Sequence, residues 1–196
     1  MTELNDPKYI SSITIDEINK LPLTQFNGEI ILIDNFQKFN LHIKDLFNQK
    51  ILGFDTESKP CFKKGEKNSV ALLQFSTSEK AYIFRLNHIG IPDKLKKIFE
   101  NENILKVGLA IHDDIKIMQK INNFKPKSFI DICTISVENN IENKSLKKLA
   151  AIVLNMRISK SKQLSNWEAK ILTDAQLTYA ATDAWICYEL YKKFKM

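Results

Sequence analysis

Acidic side chains set among apolar ones are the residues of this sequence best placed to do chemistry. In the run Ile51-Leu52-Gly53-Phe54-Asp55-Thr56-Glu57, an apolar stretch ends in two carboxylates. If the run is a strand, residues 51, 53, 55 and 57 share one face, with Asp55 and Glu57 about 6–7 Å apart along the backbone. Two anions at that spacing raise one another's pKa unless a cation joins them, and a divalent ion suits the pair. Between Leu177 and Tyr191 the only charged residues are Asp183 and Glu189. Helical spacing places Asp183 with Tyr179, Ile186 and Leu190 on a largely apolar flank, beside a stripe that includes Ala180, Ala181 and Ala184. An ionised carboxylate there costs roughly several kcal/mol unless a cation or donors compensate it. Tyr179 lies one turn before it on the same face. A third acidic point, Asp113-Asp114, follows the apolar run 107–111, and in open sheets the carboxyl ends of parallel strands are where sites gather. One of these two could cap the helix that follows.

Taken singly, each feature has an ordinary explanation. A D-x-E strand end can run out into solvent, and a buried Asp can be held by a lysine or by backbone donors. Taken together, Asp55, Glu57, Asp114 and Asp183 each end an apolar element without a balancing arginine. All-oxygen ligation of that kind favours Mg²⁺ or Mn²⁺ over zinc. The sequence has no Gly-rich phosphate loop, no G-x-S-x-G elbow and no Cys/His pair in a persuasive setting. His42 and His88 lie near no motif, and His112, beside Asp113-Asp114, reads as a surface or packing residue.

The elements that must position these groups follow from periodicity and turn residues. Strands are expected at 29–33, 51–57, 70–76, 81–86, 104–110 and 129–133, and helices at 36–47, 94–100, 114–121, 145–154 and 173–194. The short link Thr77-Ser78-Glu79-Lys80 suits an antiparallel hairpin. The strand–helix alternation beyond it suits parallel strands. Thr173 with Gln176 forms a capping-box signature that fixes where the last helix starts. The expected fold is α/β: a mixed sheet, antiparallel hairpin plus parallel strands, flanked by helices. Residues 1–28 read as an N-terminal extension whose role stays open, cover for a sheet edge being one candidate, and 29–196 as the domain proper.

The 196 residues include 29 Lys+Arg and 23 Asp+Glu, a net charge of +6. That length supports one domain, and the excess of positive charge permits binding to a polyanion. Arg85 and Arg157 are the only arginines. Lysine makes point-charge contacts to phosphate, so sequence-tolerant binding is expected rather than base reading. No apolar run reaches the ~18 residues of a membrane span, and the start carries no signal-peptide pattern. Cys61, Cys133 and Cys187 are odd in number and far apart, which fits a reduced, cytoplasmic protein without a disulfide framework.

The stretches Phe54-Asp55-Thr56-Glu57, 108–115 and Tyr179-Ala180-Ala181-Thr182-Asp183 resemble, in order, the three motifs of the DEDD 3′-5′ exonucleases. The tyrosine four residues before the last Asp marks the DEDDy subgroup, which includes ribonuclease D, the proofreading domain of DNA polymerase I and the Werner-type exonuclease domain. The loop 59–65 followed by Val70-Ala71-Leu72-Leu73-Gln74, together with Ser165-Asn166-Trp167, is most similar to the Werner-type branch; Ser58 stands where that branch carries Trp. The resemblance implies a ribonuclease H-like fold and a two-metal-ion 3′-5′ exonuclease acting on DNA or RNA with a free 3′ end. It implies that Asp55, Glu57 and Asp183 hold the first ion, that Asp55 also reaches the second, and that Asp114, rather than Asp113, contributes largely through water. Tyr179 matches the residue that positions the attacking water. Lys59, Lys63, Lys64 and Lys67, in the loop after the first motif, are candidates for phosphate contacts. Phe62 could stack on a terminal base, and Trp167 is expected to be a packing anchor. The alternatives are a catalytically silent nucleic-acid-binding module on the same fold, a partner-binding domain with ordinary surface acids, and a ribonuclease H-like endonuclease. Retention of all four motif acids argues against the first, and the uncharged setting of Asp183 against the second.

Overall fold

The computed structural model describes residues 8–60 and 69–196. In chain order the elements are α1 (Ile15–Lys20), β1 (Glu29–Ile33), α2 (Phe36–Phe47), β2 (Ile51–Ser58), β3 (Val70–Ser76), β4 (Lys80–Arg85), α3 (Leu86–Ile89), α4 (Asp93–Phe99), β5 (Leu105–Gly108), α5 (His112–Ile121), β6 (Phe129–Asp131), α6 (Ile132–Glu138), α7 (Leu146–Leu154) and α8 (Asp174–Phe194). The strands form one sheet in the order β1-β4-β3-β2-β5-β6. β2, β3 and β4 run antiparallel, and the other neighbours are parallel. The mixed sheet and its hairpin are as expected.

Alternation along β2 divides the core. Leu52 and Phe54 enter one layer with Phe39, Ile43 and Leu46 of α2 and Leu95 and Phe99 of α4. On the opposite face Ile51 joins the side chains of α7 and α8, while Ala71, Ile83 and Trp167 pack against Ala180 and Ala181 of α8. Asp55 and Glu57 therefore share the α8 face by strand geometry alone. A helix can approach a strand closely only over small residues. A Cβ placed on Gly53 would lie 2.0 Å from the carbonyl oxygen of Ala184, so this glycine is what lets α8 settle on β2. The Thr173 cap fixes the phase of the helix: its Oγ1 accepts from the Gln176 N–H (3.3 Å), and its N–H donates to Gln176 Oε1 (3.0 Å).

The structure corrects several element ends. The strand expected to reach residue 110 stops at Gly108, because Ala110 adopts a left-handed conformation (φ 55°). The strand expected at 129–133 is only Phe129–Asp131. Asp131 ends it by capping α6, with Oδ1 accepting from the N–H groups of Cys133 and Ala110, both at 2.9 Å. Neither Asp113 nor Asp114 is a helix cap. Ile111 holds that position, and both acids sit in the first turn of α5, where the helix dipole favours negative charge. The described part of the extension packs on the helices and on the segment after α7. Ile13 and Ile18 pack on Ala151 of α7, Leu23 makes an isolated bridge to Arg157, and the Phe26 N–H donates to Thr182 Oγ1 of α8 (3.0 Å). No helix among the described residues is long and apolar enough to cross a membrane.

Gly53→Ala should cost roughly 1–3 kcal/mol through overpacking and, by lifting α8, should weaken Mn²⁺ binding at Asp183. Urea unfolding and Mn²⁺-dependent thermal shifts of the variant measure both. An unchanged midpoint and an unchanged shift would contradict this role for the glycine.

Candidate metal centre

Asp55 and Glu57 project from β2 toward α8, and Asp183 projects back from α8. One carboxylate oxygen from each lies within 4.8 Å of the others. Asp183 is 9% exposed, and Asp55 and Glu57 are half-buried. The ladder between β2 and β3 shifts register between Glu57 and Ser58, a bulge at the point where β2 leaves the site. The three acids line a cleft of about 280 Å³ with Tyr179, Lys160 and Cys187.

Their electrostatics follow from crowding and burial. Burial, then the charges of Asp183 and Asp114, push the Asp55 carboxyl well above the usual range. Burial, then Asp55, Asp183 and Asp114, push Glu57 up to about 10. Burial lifts Asp183 to about 7, opposed by a hydrogen bond from Tyr179 and by the charge of Lys160. Burial, then Asp183 and Glu57, also push the Tyr179 hydroxyl upward, so it is a neutral phenol at physiological pH. Its ring lies against the fully buried Trp167, with centroids 5.9 Å apart and planes at 33°, which gives Trp167 the packing role expected of it. The described groups lining the cleft leave these three acids under-neutralised. An all-oxygen donor set with excess negative charge fits Mg²⁺ or Mn²⁺.

Asp114 is not one of the three grouped acids, although its charge reaches Asp55 and Glu57. Its Oδ1 accepts a hydrogen bond from Thr56 Oγ1 at 2.6 Å. Thr56 lies between the two acids of β2 and so points to the other face of the sheet, where it meets the first turn of α5. Strand alternation could have singled out this residue from the sequence. Nothing in the pattern of charges singles out Lys160, which reaches the cleft from the loop after α7. Glu189, the other charged residue between Leu177 and Tyr191, accepts from Trp185 Nε1 (3.1 Å).

A family model for the 3′-5′ exonuclease domain matches residues 30–196. The chain belongs to the DEDDy-type 3′-5′ exonuclease family. It is 31% identical over 185 residues to the bifunctional 3′-5′ exonuclease/ATP-dependent helicase WRN of Mus musculus, covering 89% of this chain and 13% of that protein. It is 30% identical to a putative 3′-5′ exonuclease of Acanthamoeba polyphaga mimivirus, covering 90% of this chain and 49% of that one. The chain thus spans at most about half the length of these two relatives. Among solved structures, the Nibbler EXO domain of Aedes aegypti superposes with a TM-score of 0.79 at 26% identity, over 88% of this chain and 91% of that one. Escherichia coli RNase D shares the fold, with a TM-score of 0.72 at 19% identity over 86% of this chain and 45% of that one.

In this exonuclease domain the expected phosphate-contacting lysines divide. Lys63, Lys64 and Lys67, with Phe62, lie outside the described residues. Lys59 lies 3.7 Å from Glu168, both side chains being well exposed.

The raised carboxyls give metal-free protein a definite pH dependence. Asp183 and Glu57 hold protons in the folded state that they release near pH 4 when unfolded, so the stability they contribute at low pH is lost as pH rises through about 7 and about 10. Metal needs the deprotonated acids, so its stabilising effect grows over the same window. The increase in melting temperature caused by Mn²⁺ over EDTA should be larger at about pH 8.5 than at about pH 5.5. An effect that shrinks with pH would contradict the assignment. Thr56→Val leaves Asp114 without its hydroxyl donor and should destabilise the fold by roughly 1–2 kcal/mol, measured by denaturant titration; an unchanged midpoint would show that the bond contributes nothing.

Proposed function

We propose that residues 29–196 form a metal-dependent 3′-5′ exonuclease domain that hydrolyses phosphodiester bonds at a free 3′ end, with residues 1–28 as its N-terminal extension. Asp55, Glu57, Asp114 and Asp183 would hold two ions, Mg²⁺ or Mn²⁺. The observation that carries this reading is the approach of three carboxylates from β2 and α8 to within 4.8 Å of one another. Acids in that arrangement repel, and the fold offers no arginine to join them.

When bound, the ions supply Lewis acidity to the attacking water and to the leaving 3′-oxygen. The protein's own groups do the positioning. Asp55 and Glu57 are fixed by the pairing of β2 with β3, and Asp183 by the contact of α8 with β2. Tyr179 keeps its proton at neutral pH, so it orients water as a phenol rather than removing a proton as a strong base. Trp167 holds that ring in place from behind. Thr56 fixes one oxygen of Asp114 and so turns its carboxylate.

Both DNA and RNA are kept as substrates. A ribonuclease D of Trypanosoma brucei with this fold (TM-score 0.76, 15% identity) was crystallised with RNA U12, and that supports testing RNA beside DNA. The experiment compares 5′-labelled single-stranded, recessed and blunt DNA and RNA with Mg²⁺ or Mn²⁺. Wild type should give a ladder that shortens from the 3′ end. Asp55→Ala and Asp183→Ala should abolish trimming while remaining folded. Tyr179→Phe should slow it by roughly a hundredfold or less, the lower range for a positioned acid–base group. Undiminished hydrolysis by both Asp variants would falsify the site, and internal cuts would point to an endonuclease.

A further inference from the structure

The cleft that holds the acids has one basic side chain among its described lining residues, Lys160. It sits on the loop between α7 and α8, and that loop is anchored at both ends. Ile158 before it is 2% exposed. The next turn is tied by Ser159 Oγ to Ser161 Oγ (3.0 Å) and by the Gln163 N–H donating to the Lys160 carbonyl (3.2 Å). Further on, Trp167 is fully buried, and the Arg85 guanidinium donates to the carbonyls of Ala169 (2.6 Å) and Lys170 (3.0 Å). The backbone of Lys160 is therefore fixed while its side chain stays exposed. Its charge is felt at Asp183, yet it is ion-paired with no carboxylate among the described residues. An ammonium so placed faces the acids without being consumed by them, and is free to take a second anion.

We propose that Lys160 is a further catalytic residue, whose ammonium contacts a non-bridging oxygen of the scissile phosphate and stabilises the charge that builds there during hydrolysis. This rests on the exonuclease reading of the same cleft. In the reaction the oxygen of water bonds to phosphorus, and the bond from phosphorus to the 3′-oxygen breaks. One proton leaves the attacking water, and the released 3′-oxygen takes one from solvent. No proton of this step passes through Lys160, so its contribution is electrostatic.

The test is single-turnover and steady-state trimming of a 5′-labelled oligonucleotide by wild type, Lys160→Met and Lys160→Arg, with Mn²⁺ titrated to saturation for each. Removing one preorganised donor from a developing oxyanion costs on the order of 10²–10³ in kcat. For this exposed group the expected loss in Lys160→Met at saturating Mn²⁺ is at the lower end, about a hundredfold, with the melting temperature unchanged. Lys160→Arg should recover part of the rate. Two results overturn the role: a kcat for Lys160→Met within about threefold of wild type, or a loss that vanishes at saturating Mn²⁺, which would make Lys160 a counter-ion of the acids. An inactive wild type would overturn the nuclease reading itself, whereas an active wild type matched by Lys160→Met overturns only this inference.

Discussion

Carboxylates repel when their oxygens stand within 4.8 Å of one another, and the burial of Asp183 removes the water that would otherwise screen them. Folding must nevertheless bring Asp55 and Glu57 on β2 against Asp183 on α8. The raised carboxyls record the result: without a cation, the cluster keeps protons that free carboxyls would have lost. A divalent ion bound there would replace those protons with a stronger and better-placed charge. The remaining features of the site serve to hold the acids in position until that happens.

The scaffold does this with small residues and fixed ends. Gly53 removes the Cβ that would collide with the Ala184 carbonyl, and Ala180, Ala181 and Ala184 present a helix face with no exposed area. The Thr173–Gln176 box fixes the phase of α8, so Asp183 rather than a neighbour meets β2. Aromatic packing between Trp167 and Tyr179 holds the phenol beside Asp183. The N-terminal segment adds a brace, since the Phe26 backbone bonds to Thr182 on the turn of α8 that carries Asp183. Position in the cleft is thus set by backbone contacts and buried rings, which are stiffer than the long side chains of the lysine-rich surface.

Much of this was legible in the residues. The face shared by Asp55 and Glu57 follows from strand alternation, and the start of α8 from its capping box; both are local signals. The elements misjudged were those ended by non-local or unusual backbone. β5 stops early because Ala110 takes a positive φ, a conformation that alanine gives no hint of adopting. β6 stops early because Asp131 accepts from two N–H groups, one of them across a loop. The strand order and the packing of the extension on α7 and α8 depend on contacts between distant segments, which periodicity does not encode. Thr56 could have been found, since it lies between two acids on the opposite face of a strand. Lys160 could not, because only the folded loop brings it to the cleft.

The central claim is that divalent ions take the place of protons in this cluster. Isothermal titration of Mn²⁺ into the metal-free protein at neutral pH, repeated in buffers of differing ionisation enthalpy, counts the protons that leave as metal enters. The account predicts Mn²⁺ binding with net proton release, lost together when Asp183 is replaced by alanine. Binding with no proton release, or no binding to the wild type, would contradict it.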